Sequence, residues 1–339
     1  MATIKEVAKR AKVSVGTVSH VLTGAASVSA ERRERILAVM RELDYHPNDI
    51  ARSLKLSRSH MLGMVVADIT NPFFSQLVRG AEDAAMKRNY LLVTFNTDDR
   101  AERELHVLSV LRKRRVDGVL LVVAPSEGRP FHVAEFISAG TPVVCLDRVP
   151  RGIRVDSVTV DNAGAARECV EHLLDGGHRR IAILTGSLVL QTARARLHGY
   201  KDALRRRRIA VEPRFICQGN FRMDSGYQLA LSLLSQPERP TAMFVSNGLM
   251  AIGVLKAMDQ LGLRCPQDVA LASFDDLSLA EVLHPPLTAV VQPAYDIGYQ
   301  GATLLMQRIE SREKTDSRRP ARIRLATELK IRGSTVAGA

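Results

Sequence analysis

The sequence predicts two unlike parts. A small all-helical unit spans about the first sixty residues, and a larger α/β core of two doubly wound parallel-sheet lobes follows. Three observations predict this. Residues 3–22, TIKEVAKRAKVSVGTVSHVL, combine helix-start signals with an apolar spacing of helical period. From Met61, apolar runs of strand length alternate with helical stretches, and after Asp161 a second series of the same kind begins. At 339 residues, the chain has room for two or three domains.

Thr3 followed by Glu6 is a capping box, in which each side chain satisfies a free backbone N–H at the helix start. Ile4, Val7, Ala8 and Ala11 form one apolar stripe of a first helix. Ser14 caps a second helix, whose Val18, Val21 and Leu22 point back to that stripe. Its other face carries Val15, Gly16, Thr17 and His20, small or polar groups with no core to fill. Such a face suits entry into a major groove, although periodicity alone fits an ordinary helical hairpin equally well. Ser29 caps a third helix with Ile36, Val39, Met40 and Leu43 on its buried side. In YHPNDIARSLKLSRSH, residues 45–60, Pro47 opens a helix over 48–56 with Ile50 and Leu54 four apart. A helix this short is marginal on its own.

The core's first series of strands is MLGMVVADI, YLLVTFNT, VDGVLLVV and PVVCLDR, with helices such as 74–89 and 102–113 between them. The second is RRIAILTG, TAMFVSN, VALASFDD and TAVVQP. Near-continuous apolar strands alternating with helices predict parallel sheets covered on both faces.

The net charge of +12 favours an anionic partner, and 46% hydrophobic residues suit a soluble protein with sizeable cores. Residues 1–60 hold eleven Lys and Arg against six Asp and Glu, an excess that fits phosphate contacts weakened by salt. Cys145, Cys169, Cys217 and Cys265 form no C-x-x-C pair, so buried thiols are expected rather than a zinc site or disulfides. No metal or cofactor is expected. Nothing at the N-terminus resembles a signal peptide and no apolar run has membrane-spanning length, which predicts a cytoplasmic protein without a membrane partner. The basic runs 112–115 and 205–208 fall at predicted helix ends, where they complement the dipole and stay solvated; the alternative is a role in nucleic-acid or partner binding.

In an open parallel α/β sheet, ligands sit beyond the carboxyl ends of the strands. Reading just past the strands gives Asn71, Phe73 and Phe74, then Asp147 and Arg148, then Arg194 and Arg196 in QTARAR, then Phe221, Asn247, Asp275 and Gln292. Aromatic faces stack on sugar C–H groups, while carboxylates, amides and guanidinium groups bond hydroxyls. Each residue alone has a duller explanation: Asn71 with Pro72 as a turn, Asp147 with Arg148 as a surface ion pair, Phe73 or Phe221 as core, Asp275 with Asp276 as a helix start. The set together carries more weight.

The run AKRAKVSVGTVSHVL…ELDYHPNDIARSLK resembles the DNA-binding headpiece of the lactose-repressor (LacI/GalR) family, and the remainder continues the resemblance to the end. The resemblance implies a helix-turn-helix headpiece at 1–46 and a hinge helix and linker at 47–60. A periplasmic-binding-protein-like core follows, with an N-terminal lobe of 61–161 and 292–322 and a C-terminal lobe of 162–291 and 323–339. The chain would cross between lobes near Asp161, Val291 and Arg322, and a last strand over about 323–331 would return to the second lobe. It implies that Val15, Gly16 and His20 face base edges and that Ser14, Thr17, Ser19 and Asn48 contact phosphates, with Thr3 also at the DNA. Leu54 would wedge into a minor-groove step beside Ala51, Arg52 and Lys55. The NPFF, DR and QTARAR segments resemble the family's ribose-responsive branch and the ribose-binding pocket of related proteins.

These readings predict a homodimeric repressor of a pseudo-palindromic operator, released by a small sugar, a pentose and specifically ribose. Within the family, a purine- or phosphoprotein-corepressed regulator is the alternative. A sugar-binding protein without a DNA role is the alternative of another class, opposed by residues 1–60. No G-x-G-x-x-G, Walker A, G-x-S-x-G or H-E-x-x-H occurs, so no catalytic residue is named.

Overall fold

The computed structural model describes residues 2–22, 28–45, 59–128, 130–277, 280–311 and 319–336. Asn48, Ala51, Arg52, Leu54 and Lys55, named above for the hinge, lie outside the described residues. The chain divides into two compact units, Met1–Ser59 and His60–Ala339.

The first unit packs α1 (Ile4–Ala11), α2 (Val15–Leu22) and α3 (Ala30–Glu42) around Val7, Ala8, Ala11, Val18, Val21, Ile36 and Met40. The Thr3–Glu6 capping box closes at the start of α1, the Thr3 N–H donating to Glu6 Oε2 at 2.7 Å. Lys12 ends α1 in the left-handed conformation at φ 55°, which turns the chain toward α2. Ser29 stands at the start of α3 but its side chain makes no capping bond, so the cap expected there is corrected. Arg10 and Glu42 join α1 to the end of α3 by an ion pair.

The core opens with β1 (Met61–Val66), followed by α4 (Pro72–Met86), β2 (Leu91–Asn96), α5 (Ala101–Lys113), β3 (Gly118–Leu121), α6 (Phe131–Ser138), β4 (Val143–Leu146) and β5 (Asp156–Val160). The second lobe comprises α7 (Asn162–Asp175), β6 (Ile181–Thr185), α8 (Gln191–Arg206), β7 (Ile216–Gln218), α9 (Met223–Leu234), β8 (Ala242–Val245), α10 (Gly248–Gln260), β9 (Ala270–Phe274) and β10 (Thr288–Val291). Then come α11 (Ala294–Ser311), β11 (Arg322–Leu325) and β12 (Glu328–Lys330).

The first sheet runs β11-β5-β4-β3-β1-β2, parallel throughout. The second runs β12-β10-β9-β8-β6-β7, with β12 alone antiparallel among its described strands. Helices cover both faces of each sheet, which is why β1, β3, β4, β6, β8 and β9 are almost wholly buried. In the first lobe α4 and α11 pack on one face, α5 and α6 on the other. In the second, α7 and α8 oppose α9 and α10.

Among the described elements the lobes exchange chain at three places: between β5 and α7, between β10 and α11, and between β11 and β12. This corrects the last strand, expected over 323–331 in the second lobe. Ile323 and its neighbours complete the first sheet, and the chain crosses at residues 326–327, past Arg322. Helices α4 and α11 approach so closely that a Cβ on Gly80 would lie 1.9 Å from the Tyr295 carbonyl oxygen, and one on Gly298 1.9 Å from that of Leu77. That contact fixes the start of α4 against the β10–α11 crossing, and both carry residues of the site below. Cys145 and Cys169 are buried, whereas Cys217 and Cys265 are only partly so; all four are free thiols. The two basic runs fall where α5 and α8 end.

Candidate functional site

In the N-terminal unit, α2 presents Gly16, His20 and the 42% exposed Val15 to solvent, while Val18 and Val21 close the core behind them. Ser14 Oγ accepts from the Thr17 N–H at 3.1 Å and shares a hydrogen bond with Thr17 Oγ1 at 2.9 Å, which locks the start of α2. Thr17 and Ser19 are half-buried, and Thr3 is exposed at the start of α1. A helix with a short-chained outward face can approach base edges closely.

Between the two lobes of the core lies a cavity. It sits beyond the carboxyl ends of strands from both sheets. After β1 come Asp68 and Asn71; Asn71 Oδ1 caps α4 by accepting from the Phe73 N–H at 3.1 Å, and Pro72 supplies the first helical residue. Phe73 and Phe74 meet edge to face, ring centroids 5.1 Å apart. β2 leads to Asp98 and Asp99, and β4 to Asp147 and Arg148. From the second lobe, β7 leads to Asn220, Phe221 and Arg222, β8 to Asn247, β9 to Asp275 and β10 to Gln292, while α8 lends Thr192 and Arg196.

The polar groups are held in place by one another. Arg148 donates to Asp99 and, at 3.3 Å, to the Val123 carbonyl, and its Nε stands 3.5 Å from Asp147 Oδ2. Arg196 donates to Asn162 Oδ1 at 2.8 Å and to the Ser246 carbonyl. Asn247 caps α10 through the Met250 N–H at 3.0 Å and donates to the Phe221 carbonyl at 2.8 Å. Gln292 donates to Asp275 Oδ1. Asp147, Phe221 and Asp275 have φ of 61°, 66° and 70°, a region costly for side-chain-bearing residues and often found where a site dictates direction. Gly186 leaves room for the Phe221 ring, which a Cβ there would meet at 2.2 Å.

Burial pushes the Asp147 and Asp275 carboxyls above the ordinary carboxylate range, against the pull of Arg148 and Arg196 on the first and of Arg196 and Gln292 on the second. Burial also lowers Arg196 from its usual value. For Arg148 burial opposes the charge, but Asp99 and Asp147 outweigh it and its pKa rises. Asp147 Oδ1 and Gln292 Oε1 are buried acceptors without a protein donor. The cleft therefore offers aromatic faces, two unsatisfied acceptors and one unsatisfied donor, Arg148 Nε, suited to a ligand rich in hydroxyl groups, which both donate and accept.

Every sequence-named cleft residue lines this cavity except Arg194. Two positions before Arg196 on α8, Arg194 points about 200° away around the helix and donates to the Leu188 and Val189 carbonyls. Arg194 is therefore corrected: it lies outside this lining. The sequence reading missed Asp68, Asp98, Asp99, Thr192, Asn220 and Arg222. Asp98 and Asp99 were within reach of the same strand-end rule, applied to YLLVTFNT. Thr192 lies one helical turn before Arg196. The alternative of a surface ion pair for Asp147 and Arg148 is excluded, since both are buried. Among the described residues no group of three or more His, Cys, Asp or Glu is set to hold a metal ion, and no helix is long and apolar enough to cross a membrane.

An exposed reading helix in one unit and a two-lobed ligand cleft in the other define a DNA-binding regulator with a small-molecule site. Residues 3–48 match the model of bacterial regulatory proteins of the lacI family, and residues 170–335 match a periplasmic binding protein-like domain. The ribose operon repressor of Haemophilus influenzae is 37% identical, covering 92% of this chain and 93% of its own. The HTH-type transcriptional repressor PurR of the same species is 32% identical and covers 98% of both chains. The lac repressor dimer bound to operator and the anti-inducer ONPF superposes with a TM-score of 0.87 at 29% identity, over 99% of both chains. The chain belongs to the lacI family and is a DNA-binding repressor with a helix-turn-helix unit and a periplasmic-binding-protein-like core. Members of this family are transcriptional regulators rather than enzymes.

Proposed function

We propose that this repressor acts in the cytoplasm as a homodimer and leaves a pseudo-palindromic operator when its cleft closes on a small sugar, D-ribose. The observation that carries the effector is the pair of buried acceptors without protein donors, Asp147 Oδ1 and Gln292 Oε1, in a cleft walled by Phe73, Phe74 and Phe221. Hydroxyl donors satisfy those acceptors, and the rings cover the sugar's C–H faces. The similarity to the ribose operon repressor of Haemophilus influenzae supports the same choice.

Charge argues for a neutral ligand. Asp68, Asp98, Asp99, Asp147 and Asp275 face the cavity against Arg148, Arg196 and Arg222; the two buried arginines hold protein acceptors, with Arg148 Nε left without a hydrogen bond. A phosphorylated pentose would bring negative charge to a lining in excess of it. The likeness to PurR keeps a purine corepressor as the second reading. In this reading Asp147 and Asp275 serve as acceptors for the sugar hydroxyls.

Two symmetric headpieces require two symmetric half-sites. Sugar must bind the DNA-competent and incompetent states with different affinity, because otherwise it shifts nothing. The hinge segment, residues 47–60, would transmit that shift. A thermal-shift titration with D-ribose, D-ribose 5-phosphate, guanine and hypoxanthine tests the effector, since a ligand of the native state raises its stability by mass action. A saturable rise with D-ribose alone is expected. A rise with a purine alone overturns the sugar reading.

A further inference from the structure

We propose that Arg332 is a positioning residue for the effector site, acting through Asp276 to aim the carboxylate of Asp275; this rests on Asp275 taking a sugar hydroxyl as read above. Asp275 leaves β9 at φ 70°, so its side-chain direction depends on what holds the backbone on either side. On the strand side, its N–H donates to the Val290 carbonyl at 3.0 Å. On the far side the next residue is gripped from behind: Arg332 donates to Asp276 Oδ1 at 2.9 Å and to Asp276 Oδ2 at 2.8 Å. The same guanidinium donates at 2.7 Å to the Leu287 carbonyl, just before β10. The Arg332 and Asp276 side chains are 11% and 19% exposed, so the pair is shielded from screening far more than a surface ion pair.

A strut needs a fixed foot, and the segment carrying Arg332 has one. The Arg332 N–H donates to Thr288 Oγ1 at 2.8 Å. Ser334 Oγ accepts from the Thr288 N–H at 2.8 Å and donates to the Leu271 carbonyl at 2.6 Å, while the Leu271 N–H donates to the Ser334 carbonyl at 2.8 Å. Thr335 Oγ1 lies 2.8 Å from both His172 Nε2 and Thr288 Oγ1. The chain end is thus stitched to β9, β10 and α7, and from that base Arg332 fixes the residue beside the sugar-binding acid. A planar guanidinium can hold both carboxylate oxygens at once, which an ammonium does not. Arg332 lines no part of the cleft, so strand-end reading does not find it.

Calorimetric titration with D-ribose tests the proposal in four proteins: wild type, Arg332→Ala, Asp275→Asn and the double variant, with Arg332→Lys and Asp276→Asn as milder checks. Arg332→Ala is expected to weaken D-ribose binding roughly tenfold, within the coupling range of contacting residues, and to add nothing in the Asp275→Asn background. Arg332→Lys should not restore the affinity, and Asp276→Asn should reproduce the loss. Equal weakening in both backgrounds, or a stability loss with D-ribose affinity unchanged, overturns the positioning role. Wild-type protein that ignores D-ribose means that the sugar reading fails. The strut is then decided by hydrogen exchange of ligand-free protein: faster exchange in Arg332→Ala confined to residues 275–287 supports it, and unchanged or uniformly faster exchange refutes it.

Discussion

The guanidinium carbon of Arg196 lies 3.7 Å from the centroid of the Phe274 ring, at the floor of the cleft between the lobes. Its other contacts, Asn162 Oδ1 and the Ser246 carbonyl, come from α7 and from the end of β8. One cation therefore ties three second-lobe elements to the site. Arg196→Lys keeps the charge but loses the flat stack and leaves acceptors unpaired. It is expected to cost about 2 kcal/mol of stability in urea unfolding and to abolish the response to D-ribose.

Asp147 is expected to trade stability for binding. Burial raises its carboxyl above the ordinary 3.8 in the folded protein, so the folded state holds the proton more tightly than the unfolded chain. The stability this gives is full below the ordinary value and is lost as pH rises through the raised folded value; Asp275 acts with the same sign. Asp147→Asn, which removes the buried charge, should make ligand-free protein more stable at neutral pH and flatten this loss. The same variant should bind D-ribose more weakly. Denaturant unfolding across pH, with and without sugar, checks both halves.

Behind the first-lobe half of the cleft, the fully buried Glu104 accepts from the Ala124 N–H and meets His132 Nε2, each at 2.6 Å. Val123, the neighbour of Ala124, supplies the carbonyl that Arg148 holds. Glu104→Ala leaves a buried N–H and the His132 ring without their partner. A loss of about 3 kcal/mol in urea unfolding is expected, together with weaker D-ribose binding through Arg148.

On the DNA side, His20 and Thr17 are expected to separate specificity from affinity. His20 projects from the exposed face of α2, so His20→Ala should relax preference at one base-pair position by ~1–3 kcal/mol. Thr17 sits beside the Ser14 cap. Thr17→Val should weaken all sequences alike without changing the preferred one. Binding to a library of single-base operator variants distinguishes the two.

Much of this was readable in the sequence because parallel strands buried on both faces write themselves as apolar runs, as in Met61–Val66 and Ala270–Phe274. Asp156–Val160 was missed as a strand because polar residues alternate along it, and Asp156 is used to hold Arg308 at 2.7 Å. Ile216–Gln218 is a three-residue edge strand, too short to show a period. The last strand was misplaced because 323–331 reads as one stretch, although its two halves pair with different sheets. The cleft was legible wherever a residue follows a strand directly, as Asp147, Asp275 and Gln292 do. Arg196 and Arg194 could not be separated until the helix phase placed one inward. Arg332 and Glu104 act from behind the site, through contacts that join residues distant in sequence.

If the core works as proposed, sugar bound there governs DNA binding by the headpiece. An operator selected from a library of pseudo-palindromic duplexes, labelled and held at fixed concentration with the full chain, gives the direct measurement: fluorescence anisotropy during titration with D-ribose. A saturable fall in wild type, absent in Arg196→Lys, is the expected result. Anisotropy that stays constant while calorimetry records D-ribose binding, or that rises with added sugar, would contradict release by the sugar.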